Sequence, residues 1–397
     1  MFTGVYTALV TPFKKGRLDE TALKKLVELQ VKGGVDGIVP VGTTGESPTV
    51  DFEEHVRIIE LAVYYAKGRC KIIAGSGANS TEEAVYLTKS AEYAGADGSL
   101  QVCPYYNKPS QDGLYAHFSK IANSTNLPIV LYSIPGRCNV EIAVPTAVRL
   151  AADCPNIVYI KEAGGDVDRV SQLRAALPKQ FTILSGDDAL TLPFMAAGAK
   201  GVISVSSNLI PRQLSKMVHA FLKGDAKGAL KLHEKYYPLF KDLFIETNPV
   251  PVKAALAMKG LVVEEYRLPL VKMNLGNRRQ PYLRRMMESE SHTTRFIFTA
   301  RAPSRIIDAL RSRMQHIRIP PVEQDQIIAT VSKVASLEGV ELAPGLADDL
   351  AHVADGNLRR ALFTLELLAR RGLCGERDRL YDVVAASTLL HARRMLE

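Results

Sequence analysis

The feature that most constrains this chain is a rhythm. Eight short β-rich runs, separated by stretches of helical periodicity, fill its first two hundred residues. The runs are Gly4 to Val10, Gly37 to Val41, Lys71 to Ala74, Ser99 to Cys103, Pro128 to Tyr132, Asn156 to Ile160, Phe181 to Leu184 and Gly201 to Val205. Amphipathic segments such as Glu20 to Val31, Glu53 to Ala66 and Thr81 to Ala94 lie between them. Parallel strands need crossover helices, and eight βα units close into a (β/α)8 barrel. An open doubly wound sheet is the rival, but it places a glycine fingerprint after its first strand. Only Gly75-Ser-Gly-Ala-Asn-Ser80, a partial and misplaced match, is present. The expected fold is therefore α/β, a (β/α)8 TIM barrel over residues 1–210.

From Pro211 to about Glu288 the strand signal gives way to helical patterns, as in Gln213 to Leu222 and Ala226 to Phe244. This predicts a helical C-terminal extension of the barrel over residues 211–288. A polar stretch follows, and residues 289–294 read as a linker. Beyond it the choice of cation changes: residues 1–291 carry 22 Lys and 13 Arg, whereas 292–397 carry 1 Lys and 14 Arg. A single domain rarely changes its habits so sharply, so residues 295–397 are expected to form a separate domain of different origin, which the resemblance of its motifs given below implies to be mainly α-helical.

Composition narrows the function. With 397 residues, 47% of them hydrophobic, the chain can bury more than one core. Its net charge of +8 is modest and its basic residues are scattered, so nucleic acid is not the expected partner. The five cysteines (Cys70, Cys103, Cys138, Cys154, Cys374) form no CxxC pair and no zinc-finger spacing. That pattern argues against a metal site or a disulfide framework and fits a reducing compartment. The N-terminus enters the apolar run Val5 to Val10 without a basic region, a cleavage site or a long apolar span. A cytoplasmic protein with no membrane association is expected.

In a barrel of this kind the reactive groups sit where strands end and βα loops begin. The sixth strand reads Ile157-Val-Tyr-Ile-Lys-Glu-Ala-Gly-Gly165, which puts Lys161 at the end of an apolar run. A lysine there is partly withdrawn from water, which favours the free amine that attacks a carbonyl to form a Schiff base. The plainer alternative is a lysine that reaches out of the barrel top or pairs with Glu162. The second strand ends in Pro40-Val-Gly-Thr-Thr-Gly-Glu-Ser47, where glycines flanking two hydroxyls suit a small anion such as a carboxylate. A glycine-rich turn with capping threonines accounts for the same residues. The fifth ends in Leu131-Tyr-Ser-Ile-Pro-Gly-Arg137, offering a phenol for proton transfer and a guanidinium for a bidentate carboxylate. The fourth ends in Cys103-Pro-Tyr-Tyr-Asn-Lys-Pro109, whose paired tyrosines suit packing or an interface as well as catalysis.

Taken in order and spacing, "GTTGES", "PYYNKPSQDGLYAHF", "LYSIPGR", "YIKEAGG", "LSGDD", "GVISVSSN" and "NPVPVKAAL" resemble the dihydrodipicolinate synthase family over roughly Met1 to Arg285. The resemblance implies a class I aldolase-type condensation in diaminopimelate and lysine biosynthesis, with pyruvate and L-aspartate 4-semialdehyde as substrates and no metal or organic cofactor. Lys161 would form the Schiff base with pyruvate. Tyr132 would act as general acid/base, relaying protons with Thr43 and Tyr106, the last reaching in from a neighbouring subunit of a homotetramer built as a dimer of dimers. Thr44 would hold the pyruvate carboxylate and Arg137 that of the aldehyde substrate, while Gly186 and Ile203 would line the pocket near the imine. A feedback site for lysine would draw on Ser47, Pro48, Phe52, His55, Asn79, Glu83 and Tyr105. Phe52 replaces the His of some lysine-sensitive members, and His55 also reads as a polar residue on a helix surface. A pyruvate-dependent lyase similar to N-acetylneuraminate lyase is the alternative on the same scaffold.

The tail resembles clamp-loader small subunits of replication factor C, within the AAA+ ATPases. "RFIFTARAPSRIIDALRSR" is similar to the sensor-1 strand and arginine-finger helix, "HIRIPPVEQDQI" to the connection into the lid, and "DGNLRRALFTLELL" to the sensor-2 helix. The resemblance makes Arg313 the finger and Arg359 the sensor-2 arginine, with Arg301 where many members have Asn. No GxxxxGK[ST] phosphate loop precedes these elements, so the tail is not expected to hydrolyse ATP. A partner-binding helical module, an arginine donated in trans, and a recombined extension without a role are the three readings. A DNA clamp-loading accessory is the competing function class.

Overall fold

β1 (Gly4–Ala8) is hydrogen-bonded in parallel to β8 (Gly201–Ser204) on one side and to β2 (Gly37–Val39) on the other, so the sheet has no edge. Between them run β3 (Lys71–Gly75), β4 (Gly98–Val102), β5 (Ile129–Ser133), β6 (Ile157–Glu162) and β7 (Thr182–Ser185), each paired with its sequence neighbours. The eight-stranded closed barrel expected from the alternation is the observed fold. The structure is a computed structural model and describes residues 2–274, 277, 315, 317 and 320–384. It divides into two compact units, Met1–Pro303 and Ser304–Glu397. The linker expected at 289–294 lies outside the described residues.

Helices α1 (Glu20–Gly33), α2 (Phe52–Ala66), α3 (Thr81–Tyr93), α4 (Gln111–Ala122), α5 (Val144–Asp153), α6 (Val167–Ala176), α7 (Thr191–Ala196) and α8 (Pro211–Leu222) follow the eight strands in turn. Their starts are written locally: Asp19, Asp51, Ser80 and Ser110 each accept a first-turn backbone N–H. Such a cap is worth about 1 kcal/mol. α8 packs on β1 and α1 and completes the ring, so the boundary expected at residue 210 separates the eighth strand from its own helix. The helical extension proper is α9 (Ala226–Asp242) and α10 (Val250–Met258).

Strand alternation divides the barrel unit into two apolar layers. Outward residues such as Ile38, Ile72, Leu131, Ile160 and Ile183 pack against the helices. Inward ones, including Tyr6, Val39, Ile73, Leu100, Val130, Tyr132, Tyr159, Leu184 and Ile203, fill the barrel. Phe2 plugs the N-terminal end, its ring stacked 4.6 Å from that of Tyr159. A side chain on Gly98 would strike the Phe2 ring, which is why the fourth strand begins with glycine. Phe2 and Tyr159 thus fill the N-terminal end of the barrel, opposite the C-terminal strand ends that carry the candidate groups.

The second unit, among its described residues, is a helical module: α11 (Gln324–Leu337), α12 (Leu346–Ala354) and α13 (Leu358–Arg370) around Ile327, Val331, Leu350, Leu365 and Leu368. Arg359 is exposed on α13. Arg301 and Arg313, with the rest of the expected sensor-1 segment, lie outside the described residues.

Candidate active site

Lys161 and Tyr132 are cross-strand partners, because the β5–β6 register sets Tyr132 opposite Lys161 and Lys161 opposite Leu184 of β7. Both side chains point into the barrel, and the lysine Nζ lies 3.8 Å from the centre of the tyrosine ring. Lys161 is 6% exposed, so its amine sits under the pocket mouth rather than out in solvent. The alternative pairing with Glu162 is excluded by the pleat, which turns adjacent side chains to opposite faces. Glu162 faces the helices, where its Oε2 accepts from Arg169 Nε at 2.8 Å and its Oε1 from the Gly164 N–H at 2.7 Å. Burial raises its carboxyl above the usual range, an effect that Arg169 only partly offsets.

Gly186 lies beside the lysine. A Cβ there would come within 2.6 Å of Ala163 Cβ and 3.1 Å of Lys161 Cε, so a side chain would displace the lysine stem. Ile203 forms part of the inward apolar cluster with Tyr132 and Leu184. Of these two residues, expected near the imine, Gly186 adjoins the Lys161 stem and Ile203 faces the same barrel interior as Tyr132.

The turn after β2 carries Thr43 and Thr44 on a single 3-10 turn, Thr43–Gly45. It is bracketed by two non-glycine residues in the left-handed region, Val41 at φ 51° and Glu46 at φ 58°. For a β-branched residue such as Val41 this is a costly conformation, of the kind that concentrates at functional loops. The strand beside it makes room: a Cβ on Gly75 would lie 2.6 Å from Val41 O. Thr44 is buried and its Oγ1 accepts from Asn248 Nδ2 at 3.0 Å, while Thr43 is half-buried. The same Asn248 accepts from Arg137 Nη2 through its backbone carbonyl at 2.9 Å. The guanidinium of the fifth strand end and the hydroxyl of the second are thereby tied to one residue.

Tyr106 is 92% exposed and at φ 71°, with its ring in solvent rather than in the barrel of its own chain. The expected feedback residues divide. Asn79 donates to Tyr105 O at 3.3 Å, and burial, with Glu83 nearby, raises the Tyr105 phenol. His55 is not on a helix surface: it is buried on α2 and bonded through Nε2 to Gly75 O at 2.8 Å. Burial lowers its imidazole to about 4. Ser47 is half-buried in the turn after Glu46, and Pro48 and Phe52 are exposed. Among the described residues no group of three or more His, Cys, Asp or Glu side chains could hold a metal ion.

Sequence reasoning missed Asn248, which bonds both Thr44 and Arg137, and the buried Glu46–Lys253 pair behind the Thr43–Gly45 turn. The signal for Lys253 was present, since it is a single charge inside the apolar run Val250-Pro-Val-Lys-Ala-Ala-Leu256. Its partner lies 207 residues earlier, at a separation that no local pattern reveals.

A closed parallel barrel, plugged at one end and carrying its polar groups on the C-terminal strand ends, defines a (β/α)8 enzyme, and a lysine seated there marks a lyase of the class I aldolase type. Comparison narrows the class. The profile of the Dihydrodipicolinate synthetase family matches residues 1–288, and the chain belongs to that family. A 4-hydroxy-tetrahydrodipicolinate synthase of Sulfurihydrogenibium sp. (strain YO3AOP1) is 55% identical over 278 residues, 70% of this chain and 95% of that one. The structure of the corresponding synthase from Methylacidiphilum fumariolicum SolV is 56% identical, covers 73% of this chain and 98% of its own, and superposes with a TM-score of 0.71. The dihydrodipicolinate synthase structure from Aquifex aeolicus is 50% identical at the same coverage and TM-score.

Proposed function

We propose that the barrel condenses pyruvate with L-aspartate 4-semialdehyde, giving the 4-hydroxy-tetrahydrodipicolinate for which its relatives are named. The observation that carries this reading is the buried Lys161 amine against the Tyr132 ring at the open end of the barrel. The lysine nitrogen attacks the pyruvate ketone carbon and water leaves, forming an imine. Loss of a methyl proton then gives an enamine, for which the iminium nitrogen is the electron sink. The enamine carbon attacks the aldehyde, and Tyr132 supplies and removes protons at the imine and at the new alkoxide. Ring closure by the amine of the second substrate displaces Lys161 and regenerates it.

Thr44 is the ligand of the pyruvate carboxylate in this reading, with Thr43 in the proton relay. Arg137, held at the rim by Asn248, receives the second carboxylate, which favours the synthase over a lyase that takes a neutral aldehyde. Tyr106, exposed in its own chain, completes the relay of a neighbouring subunit, and the assembly is a homotetramer. The five cysteines are free and buried, in keeping with a reducing cytoplasm. Residues Ser47, His55, Asn79, Glu83 and Tyr105 are the candidate lysine site. The tail is a passenger of the synthase in this reading.

The test is borohydride reduction in the presence of pyruvate, followed by peptide mapping and an assay with aspartate semialdehyde. A reduced adduct on Lys161 together with turnover is the expected result. An adduct elsewhere, or none, overturns the mechanism. An adduct with turnover only on a different aldehyde moves the chain to another pyruvate-dependent lyase, of the N-acetylneuraminate lyase kind.

A further inference from the structure

Two charged side chains with no part in the reaction lie enclosed beneath the turn that carries Thr43 and Thr44. The Lys253 ammonium donates to Glu46 Oε1 at 2.5 Å, and both side chains are 0% exposed. Glu46 follows Thr44 by two positions, and its left-handed backbone turns the chain out of the 3-10 turn. Its other oxygen accepts the Arg267 N–H at 3.2 Å. The ammonium also lies 4.4 Å from the Phe13 ring centre and 5.2 Å from that of Tyr266, so aromatic faces enclose it. Burial lowers the ammonium from its ordinary range, with Glu46 opposing the shift.

A buried ion pair is poor evidence for net stability, because desolvation offsets most of the attraction and an apolar pair of similar volume often serves as well. What such a pair does specify is geometry, since either charge displaced from the other is left unpaired. Here it joins the turn after β2 to α10 of the helical extension. Asn248, at the shoulder of the same helix, makes the second attachment, to Thr44 Oγ1. We infer that Glu46 and Lys253 are positioning residues for pyruvate: they fix the Thr43–Thr44 turn on the helical extension, so that the extension sets the affinity of the barrel for the substrate carboxylate. This rests on the reading of Thr44 as the carboxylate ligand.

Lys253→Met tests it, with Glu46→Gln/Lys253→Met as the companion variant that leaves no orphaned carboxylate and keeps the volume. The readouts are pyruvate affinity by calorimetry, the pyruvate concentration giving half-maximal borohydride labelling of Lys161, and kcat at saturating pyruvate. Both the calorimetric and the labelling midpoints are expected to rise about ten- to a hundredfold in the folded companion variant, the scale of a displaced positioning group. Labelling at saturation and kcat stay within about threefold, the KM-against-kcat split that a general loss of structure does not produce. A companion variant with the parent's thermal transition and the parent's pyruvate affinity overturns the inference. So does a fall in kcat with the midpoints unmoved. If the parent binds pyruvate but gives no adduct, the Schiff-base reading fails instead, and calorimetry still reads the turn.

Discussion

A single peptide step separates two residues with opposite roles. Lys161 turns into the barrel toward Tyr132, and Glu162 turns out toward Arg169. The lysine was legible because a cation ending an apolar strand is chemically exceptional. Thr44 and Arg137 stood out as a glycine-flanked hydroxyl and a guanidinium at strand ends, whereas Gly186 and Ile203 became legible only through the resemblance, since a glycine or an isoleucine alone carries no chemistry. Asn248 escaped because its role lies in bonds to Thr44 and Arg137, separated from it by 204 and 111 positions. At this scale the buried histidines set an acid limit. His55 and His117 both have imidazoles lowered by burial from 6.5 to about 4. The unfolded chain takes up their protons below about pH 6.5 while the folded chain does not, so stability is full above that value and falls as the pH drops toward 4. His117 packs its Nδ1 against Thr81 Oγ1 at 2.9 Å and leaves its buried Nε2 without a partner. His117→Gln should therefore shrink the stability difference between pH 7 and pH 5 by about 2 kcal/mol, measured by denaturant unfolding at each pH. An unchanged difference would assign the acid sensitivity to other groups.

Elements were more legible than their contacts. The strand and helix signals placed all eight strands and the helices between them, because alternation and amphipathicity are local properties of the chain. The eighth helix was assigned to the extension since nothing in Pro211 to Leu222 announces that it packs on β1, which lies at the other end of the barrel sequence. How β6 and α6 lock together was likewise invisible. Arg169 of α6 bonds Glu162 and the Ile142 carbonyl, with Glu141 at 3.2 Å, and so sets the helix over the strand that carries the lysine. Arg169→Met strands the Glu162 carboxylate in an apolar layer and should cost about 3–5 kcal/mol near neutral pH. The deficit should shrink as pH falls. Glu162 already has a raised carboxyl, and once it and its unfolded counterpart are both protonated the missing cation no longer matters. Urea unfolding of parent and variant across pH 4 to 8 reads both the size and the sign.

At the scale of the whole chain, lysine gives way to arginine after residue 291, and the structure separates into two compact units, Met1–Pro303 and Ser304–Glu397. Each has its own apolar core, one around the barrel and one around Ile327, Val331 and Leu365. Deleting residues 292–397 should therefore leave synthase turnover within about twofold of the parent if the tail is a passenger, since separate cores contribute independently. Loss of activity or of the proposed tetramer on truncation, read by steady-state assay and sedimentation, would make the tail part of the enzyme.

The bond from the Arg267 N–H to Glu46 spans 221 positions and carries a consequence for how the enzyme comes into being. A chain leaving the ribosome can hold all eight strands and Lys161 and still lack the bonds that fasten the Thr43–Gly45 turn, because Asn248, Lys253 and Arg267 have yet to emerge. On the inference that Glu46 and Lys253 fix that turn, a nascent barrel holds pyruvate weakly until its extension has docked.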